Sequence, residues 1–219
     1  MLRNELDHVV ADVLRHRRLL DHPFYRRWEA GALEPGELGA YAAQYRHFER
    51  TLPVLLARVV DQLPDGVARR TVQANLDDEL GVPEPHTTMF EDFASAVGAA
   101  ESAPPTAATA ALIDTYDRAA KAAPARVLAA LAVYEVQAPS VAASKAAGLR
   151  AHYGVDARGT RFWDVHADMD ARHAEWALDA VAALAERPDD IAGAADDAAR
   201  AWWAFLDDRD ADAPLASAV

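Results

Sequence analysis

The sequence predicts an all-α protein, and three observations carry that prediction. Ala, Leu, Glu and Arg, all strong helix formers, fill long segments between Pro and Gly punctuation. Apolar residues recur at three- and four-residue spacing, with no sustained alternation of the kind that strands show. No Ser/Gly-rich or Pro-rich linker divides the chain, and 219 residues at 52% hydrophobic content suffice for one substantial core, so a single domain over 1–219 is expected.

Taken in order, the first helix, 3–19, carries charges throughout (RNELDHVVADVLRHRRL), and the second, 23–31, ends at Gly31. The third, 36–62, runs to the stop at Pro64, the fourth, 65–80, to Gly81 and Pro83, and the fifth, 85–97, to Gly98. Beyond an Ala-rich patch at 99–112, which spans Pro104 and Pro105, the sixth covers 106–121 and stops at Pro124. The seventh, 125–152, ends at Gly154, the eighth, 159–186, at Pro188, and the ninth, 189–207, precedes an acidic tail of about 208–219. Pro53 and Pro139 fall inside helical patterns and are expected to kink their helices, because proline has no N–H for the carbonyl four residues earlier. For Pro139 that carbonyl belongs to Glu135. A disrupted turn there suits either a functional site or an ordinary core kink.

The absence of cysteine excludes disulfides, thiolate metal sites and cysteine nucleophiles. A formal charge of −13 argues against a nucleic-acid partner, which would need a basic surface. No window approaches 18 consecutive apolar residues and the charged N-terminal segment lacks an apolar stretch, so a cytoplasmic protein without membrane partner is expected. Lys121 and Lys145 are the only lysines among the 22 basic residues.

The sharpest local signal is His166, Asp170 and His173 in RFWDVHADMDARHAEW. On a helix, their offsets place three side chains within an arc of about 60°. Val165, Met169, Trp176 and Ala177 run alongside, so the face is partly apolar, and buried polar groups there would need a shared partner such as a metal. A solvent-facing polar stripe would show the same spacing. Glu79, near the end of NLDDEL, and His86, which opens the next helix, stand on either side of the turn at Gly81, Pro83 and Pro85, where helix ends can converge; a hydrated acidic run and a polar helix start would also account for them. Glu135 is a lone carboxylate in LAALAVYEVQAP, whose nearest basic residues are Arg126 and Lys145, so it needs a distant arginine or a metal to offset its burial. Three imidazoles, three carboxylates and no sulfur make a hard N/O set suited to iron or manganese, and six donors suit two ions with positions left for oxygen. The Glu-x-x-His pairs of ferritin-like bundles are represented only by Glu5 and His8, in a charged helix.

Over these residues the chain resembles the haem-oxygenase-like di-metal oxidases, most closely the branch of the Chlamydia protein associating with death domains. The resemblance runs from HPFYRRWEAG and LGAYAAQYRHF through NLDDELG and YEVQAPSVAASK to FWDVHADMDARH, nearly the whole chain. It implies a haem-oxygenase-like, TenA-like bundle with the family's six ligand positions on Glu79, His86, Glu135, His166, Asp170 and His173. It further implies two iron ions or a manganese–iron pair, dioxygen and an external reductant; helical packing of this type also admits a homodimer. The HPFYRRW and QYRHF segments are similar to pyrroloquinoline-quinone synthase and to the TenA thiaminases, although the latter rely on a cysteine absent here.

Members of the closest branch form 4-aminobenzoate, a folate precursor, from one of their own tyrosines, with a lysine of the same chain donating nitrogen. That resemblance puts the consumed tyrosine at Tyr25, the donor at Lys145 and further site tyrosines at Tyr41 and Tyr134. A primary amine can give up nitrogen where a guanidinium cannot easily do so, which lends weight to a lysine kept in an arginine-rich chain. A surface lysine and an amphipathic core tyrosine are the plainer accounts of Lys145 and Tyr25. Three alternatives stand beside this one: an oxidase of a small external amine, amino acid or fatty acid; a metal-free cofactor-pathway protein like the quinone synthase; and a partner-binding module.

Overall fold

The computed structural model describes residues 2–81 and 84–211, the side chains of residues 170 and 171 excepted. These residues form α1 (Arg3–Leu14), α2 (Pro23–Glu29), α3 (Pro35–Gln62), α4 (Val67–Leu80), α5 (His86–Ala96), α6 (Ala107–Ala122), α7 (Pro124–Glu135), α8 (Ala138–His152), α9 (Ala157–Ala183) and α10 (Pro188–Ala211), with a 3-10 turn at Leu19–Asp21. No strand occurs among the described residues.

Helix starts follow local chemistry. Asp156 accepts the backbone N–H groups of Arg158 and Gly159 at 3.0 and 2.9 Å and so begins α9. Pro23 occupies the first position of α2, where its missing N–H costs nothing, and the His22 ring accepts from the Phe24 N–H at 3.1 Å. The 27-residue α9 is the axis of the bundle, packed against α4, α5, α7 and α8. On the other side α10 lies on α6 and α7, while α3 packs on α4, α5 and α6. One continuous apolar core results, rich in aromatic rings such as Phe90, Phe93, Phe162 and Trp163. Each such side chain contributes on the order of 1.5–3 kcal/mol by leaving water.

Three differences from the sequence prediction go beyond boundary shifts of one to three residues. The first helix ends at Leu14 instead of residue 19, giving way to the 3-10 turn. The expected helix over 125–152 is two helices, α7 and α8, separated at Val136 and Gln137. Pro139 falls in the first turn of α8, where it withholds its N–H from the Glu135 carbonyl, and the Gln137 amide stabilises the break by accepting from the Leu19 N–H at 2.7 Å and donating to the Val133 carbonyl at 3.1 Å. Pro53, by contrast, sits within an unbroken α3. Finally, α10 continues to Ala211, so residues 208–211 of the expected tail are helical, with Asp208 accepting from the Thr106 hydroxyl at 2.8 Å; residues 212–219 lie outside the described part.

The α7–α8 stretch, Pro124–His152, is long and apolar enough to cross a membrane by length and hydropathy, yet 61% of its most apolar window is buried inside the bundle. Its apolarity is spent on packing against α9 and α10.

Candidate metal centre

Glu79 stands one residue from the end of α4, and His86 is the first residue of α5. The reversal between them depends on Gly81, whose φ of +43° suits glycine and whose position leaves no room for a Cβ beside the Glu84 carbonyl. His86 Nδ1 comes to 3.1 Å from Glu79 Oε2, and both side chains are buried.

From the opposite side, α9 presents His166 and His173. The His166 Nδ1 lies 2.7 Å from the Phe162 carbonyl, which can only accept. Nδ1 therefore carries a proton, and Nε2 is the nitrogen able to bind a metal, an arrangement typical of ligating histidines. The His166 and His86 rings are 4.6 Å apart between centroids, and those of His86 and His173 6.5 Å. His173 has Nδ1 at 3.9 Å from Glu79 Oε1 and Nε2 at 3.3 Å from Asp78 Oδ2. Asp170 lies on α9 between the two histidines, and its side chain falls outside the described residues.

Glu135, the last residue of α7, closes the group. Its carboxylate accepts from the Asn75 side chain of α4 at 3.2 Å, and it lines a small chamber together with Glu79, His166 and His173. The five described members of the predicted set thus converge from α4, α5, α7 and α9. Glu5 and His8 remain exposed on α1.

Burial pushes the Glu79 carboxyl up, but the His86 hydrogen bond and the charges of His86, His166 and His173 outweigh it and hold the group below its usual range. Donor atoms of Glu79, His86 and His166 all lie within 4.8 Å of one another. Bonds of about 2.0–2.2 Å allow two donors on one ion to stand up to roughly 4.4 Å apart, so these three fit a cation after a contraction of a few tenths of an ångström. With imidazole and carboxylate donors and no thiolate in the chain, the set suits iron or manganese.

A second buried cluster adjoins the chamber. Lys145 on α8 is 1% exposed, so it is no surface lysine. Its Nζ donates to the Tyr41 hydroxyl at 2.6 Å and lies 3.9 Å from the centroid of the Trp163 ring and 4.9 Å from that of Tyr25. Tyr25 and Tyr41 are bonded hydroxyl to hydroxyl at 3.0 Å. The backbone here is held by Trp28, whose indole N–H donates to the Lys145 carbonyl at 3.2 Å; Gly148, one turn on, admits that indole where a Cβ would meet it at 2.8 Å. Burial, opposed only in part by the Tyr41 hydrogen bond, pushes the Tyr25 phenol well above its ordinary range.

Tyr134 lines the chamber and shares a short hydroxyl contact with Tyr45. Tyr45 and Glu49, which the sequence reading did not select, also line the chamber. Tyr45 stacks on Tyr41 with centroids 5.5 Å apart and so joins the two clusters. The available signal was the four-residue spacing of Tyr41, Tyr45 and Glu49 along α3, a stripe otherwise typical of core.

A family model described as iron-containing redox enzyme matches residues 39–206. The chain is 31% identical over 209 residues to a 4-aminobenzoate synthase of Chlamydia pneumoniae, covering 92% of this chain and 91% of that one. It is 32% identical over 225 residues to a 4-aminobenzoate synthase of Nitrosomonas europaea, covering 94% and 92%. Among solved structures, a CADD-like protein of unknown function from Nostoc punctiforme shares the fold with a TM-score of 0.79 at 17% identity, covering 96% of this chain and 98% of the other.

Proposed function

The chain belongs to the family of iron-containing redox enzymes, and from that membership we propose that it activates dioxygen at two non-haem metal ions, iron with iron or with manganese, to convert its own Tyr25 into 4-aminobenzoate. Glu79, His86, Glu135, His166, Asp170 and His173 would hold the ions, and Lys145 would donate the nitrogen. The observation that carries the reading is the buried triplet in which Tyr41 is hydrogen-bonded to both the Lys145 amine, at 2.6 Å, and the Tyr25 phenol, at 3.0 Å.

Making 4-aminobenzoate from a tyrosine requires nitrogen in place of the phenol oxygen, which breaks the Lys145 Cε–Nζ bond and leaves Cε oxidised to a carbonyl, and a Cβ oxidised to a carboxyl carbon and severed from Cα; dioxygen is the oxidant for both. The metal pair, when bound, supplies dioxygen chemistry of the required oxidising power, with electrons from an external reductant. The residues of the chain do the rest. Replacing oxygen by nitrogen takes a proton from the amine and delivers one to the departing oxygen, and Tyr41 touches both atoms. Trp163, Tyr45 and Trp28 surround the amine and keep water from competing with it. Phe162 and Asn75 orient His166 and Glu135.

The chamber between the candidate ligands holds about 20 Å³, and a substrate built into the chain needs no larger cavity. We take the cytoplasm, where electron donors are at hand, as the setting.

The test is anaerobic loading with Fe(II), alone or with Mn(II), followed by dioxygen and a reductant, with mass spectrometry of the small-molecule fraction and the intact chain. The expected result is at most one 4-aminobenzoate per chain, matched by a chain that has lost both the Tyr25 side chain and the Lys145 nitrogen. Repeated turnover of an added small molecule, with the chain mass unchanged, would overturn the reading.

A further inference from the structure

We infer that Glu49 is an additional carboxylate ligand of the metal pair, reaching the chamber from α3, a helix that supplies none of the other six donors. The inference deepens the proposed metal binding and rests on it.

Glu49 is 4% exposed, and its side chain lines the same chamber as Glu79, Glu135, His166 and His173. Tyr45, one turn earlier on α3, and Leu52, three residues later, line the same chamber. The negative charge of Glu49 contributes, after burial and the neighbouring phenols, to holding Tyr41 and Tyr45 protonated.

Charge counting gives the acid a reason to be there. Two divalent cations bring four positive charges into a buried space, whereas Glu79, Glu135 and Asp170 bring three negative ones and the histidines bind as neutral rings; Asp78, beside His173, is partly exposed and screened by solvent. One carboxylate more makes the loaded chamber neutral, which a low-dielectric interior favours strongly. Glu49 also shares a local pattern with Glu135, since each precedes a proline by four residues, Pro53 and Pro139. In both cases the proline withholds an N–H from the backbone carbonyl of the acid.

The experiment titrates the full chain anaerobically with Fe(II), using the wild type, Glu49→Gln and Glu49→Asp, with His166→Ala as the control for the metal site itself. Bound metal is counted after gel filtration, and the melting temperature is recorded for each protein with and without metal. Two ions per wild-type chain are expected. Glu49→Gln should bind the weaker ion at least about tenfold less tightly, retain fewer ions and gain less thermal stability from metal than the wild type, each gain being measured against its own metal-free form. Glu49→Asp should fall between. Two ions held by Glu49→Gln with wild-type affinity and an unchanged metal-induced rise in melting temperature would refute the role of Glu49 while leaving the proposed function standing. Failure of the wild type to bind metal, or full retention by His166→Ala, would overturn the metal centre and this inference together.

Discussion

Replacing Tyr25 by Phe separates the chemical role of its hydroxyl from any structural one. The ring is fully buried and packs edge-on against Phe24 and Trp28, contacts that phenylalanine preserves. What is lost is the 3.0 Å bond to Tyr41: the Tyr41 oxygen still accepts from the Lys145 amine at 2.6 Å, but the Tyr41 O–H loses the Tyr25 oxygen as its acceptor. Leaving a buried donor unmatched costs about 1–3 kcal/mol. In a chain of this size 1 kcal/mol moves the melting temperature by about 2–4 °C, so Tyr25→Phe should melt within roughly 12 °C of the wild type. Metal content should be unchanged, because Tyr25 does not line the chamber. Product formation should nevertheless vanish, since the ring to be released no longer carries the oxygen that nitrogen replaces. Differential scanning calorimetry of the metal-loaded protein under argon and mass spectrometry after exposure to dioxygen measure the two effects separately. Wild-type yields of 4-aminobenzoate from Tyr25→Phe would refute Tyr25 as the source.

Lys145→Arg should likewise abolish product, and forcing a larger guanidinium into the closed cage of Trp163, Tyr25 and Tyr41 should destabilise the fold by about 1–3 kcal/mol, readable as a shift in the urea midpoint. Gly81→Ala places a Cβ against the Glu84 carbonyl at a φ of +43°; a cost of about 1–2 kcal/mol from the backbone alone is expected, together with weaker metal binding as His86 moves away from Glu79. The carboxyl of Glu79 is held below its ordinary value of 4.5, so in metal-free protein it contributes stability that is complete above that pH and is lost as pH falls through the lower folded value. Chemical denaturation of chelated protein at stepped pH should show that loss, and Glu79→Gln should flatten it; an unchanged slope would sink the assignment.

Much of the architecture was legible because helix periodicity and Gly or Pro stops agree along this chain, as at Gly81 and Pro188. The break between α7 and α8 was only half legible. Pro139 announced a disturbance, but its conversion into a full interruption depends on Gln137 bonding to Leu19, a residue 118 positions away. The residues of the candidate site stood out because histidines and a solitary acid are out of place in apolar helices. Glu49 and Tyr45 escaped notice for the opposite reason: HFERTLP reads as an ordinary amphipathic turn, with Arg50 beside the acid to suggest a surface pair, and only the packing of α3 turns both side chains inward. Lys145 shows a similar limit. SVAASKAAG carries no local mark of burial, and the aromatic cage that encloses the amine is assembled from α2, α3 and α9.

The edge-on packing of Tyr25 in the heart of the bundle bears on what becomes of the molecule afterwards. Excising an aromatic ring from a close-packed interior leaves a hole worth about 3–5 kcal/mol, a large share of the roughly 5–15 kcal/mol that keeps a typical domain folded. A spent chain should therefore melt well below a fresh one and yield sooner to proteases. A reagent used once would carry its own mark for disposal.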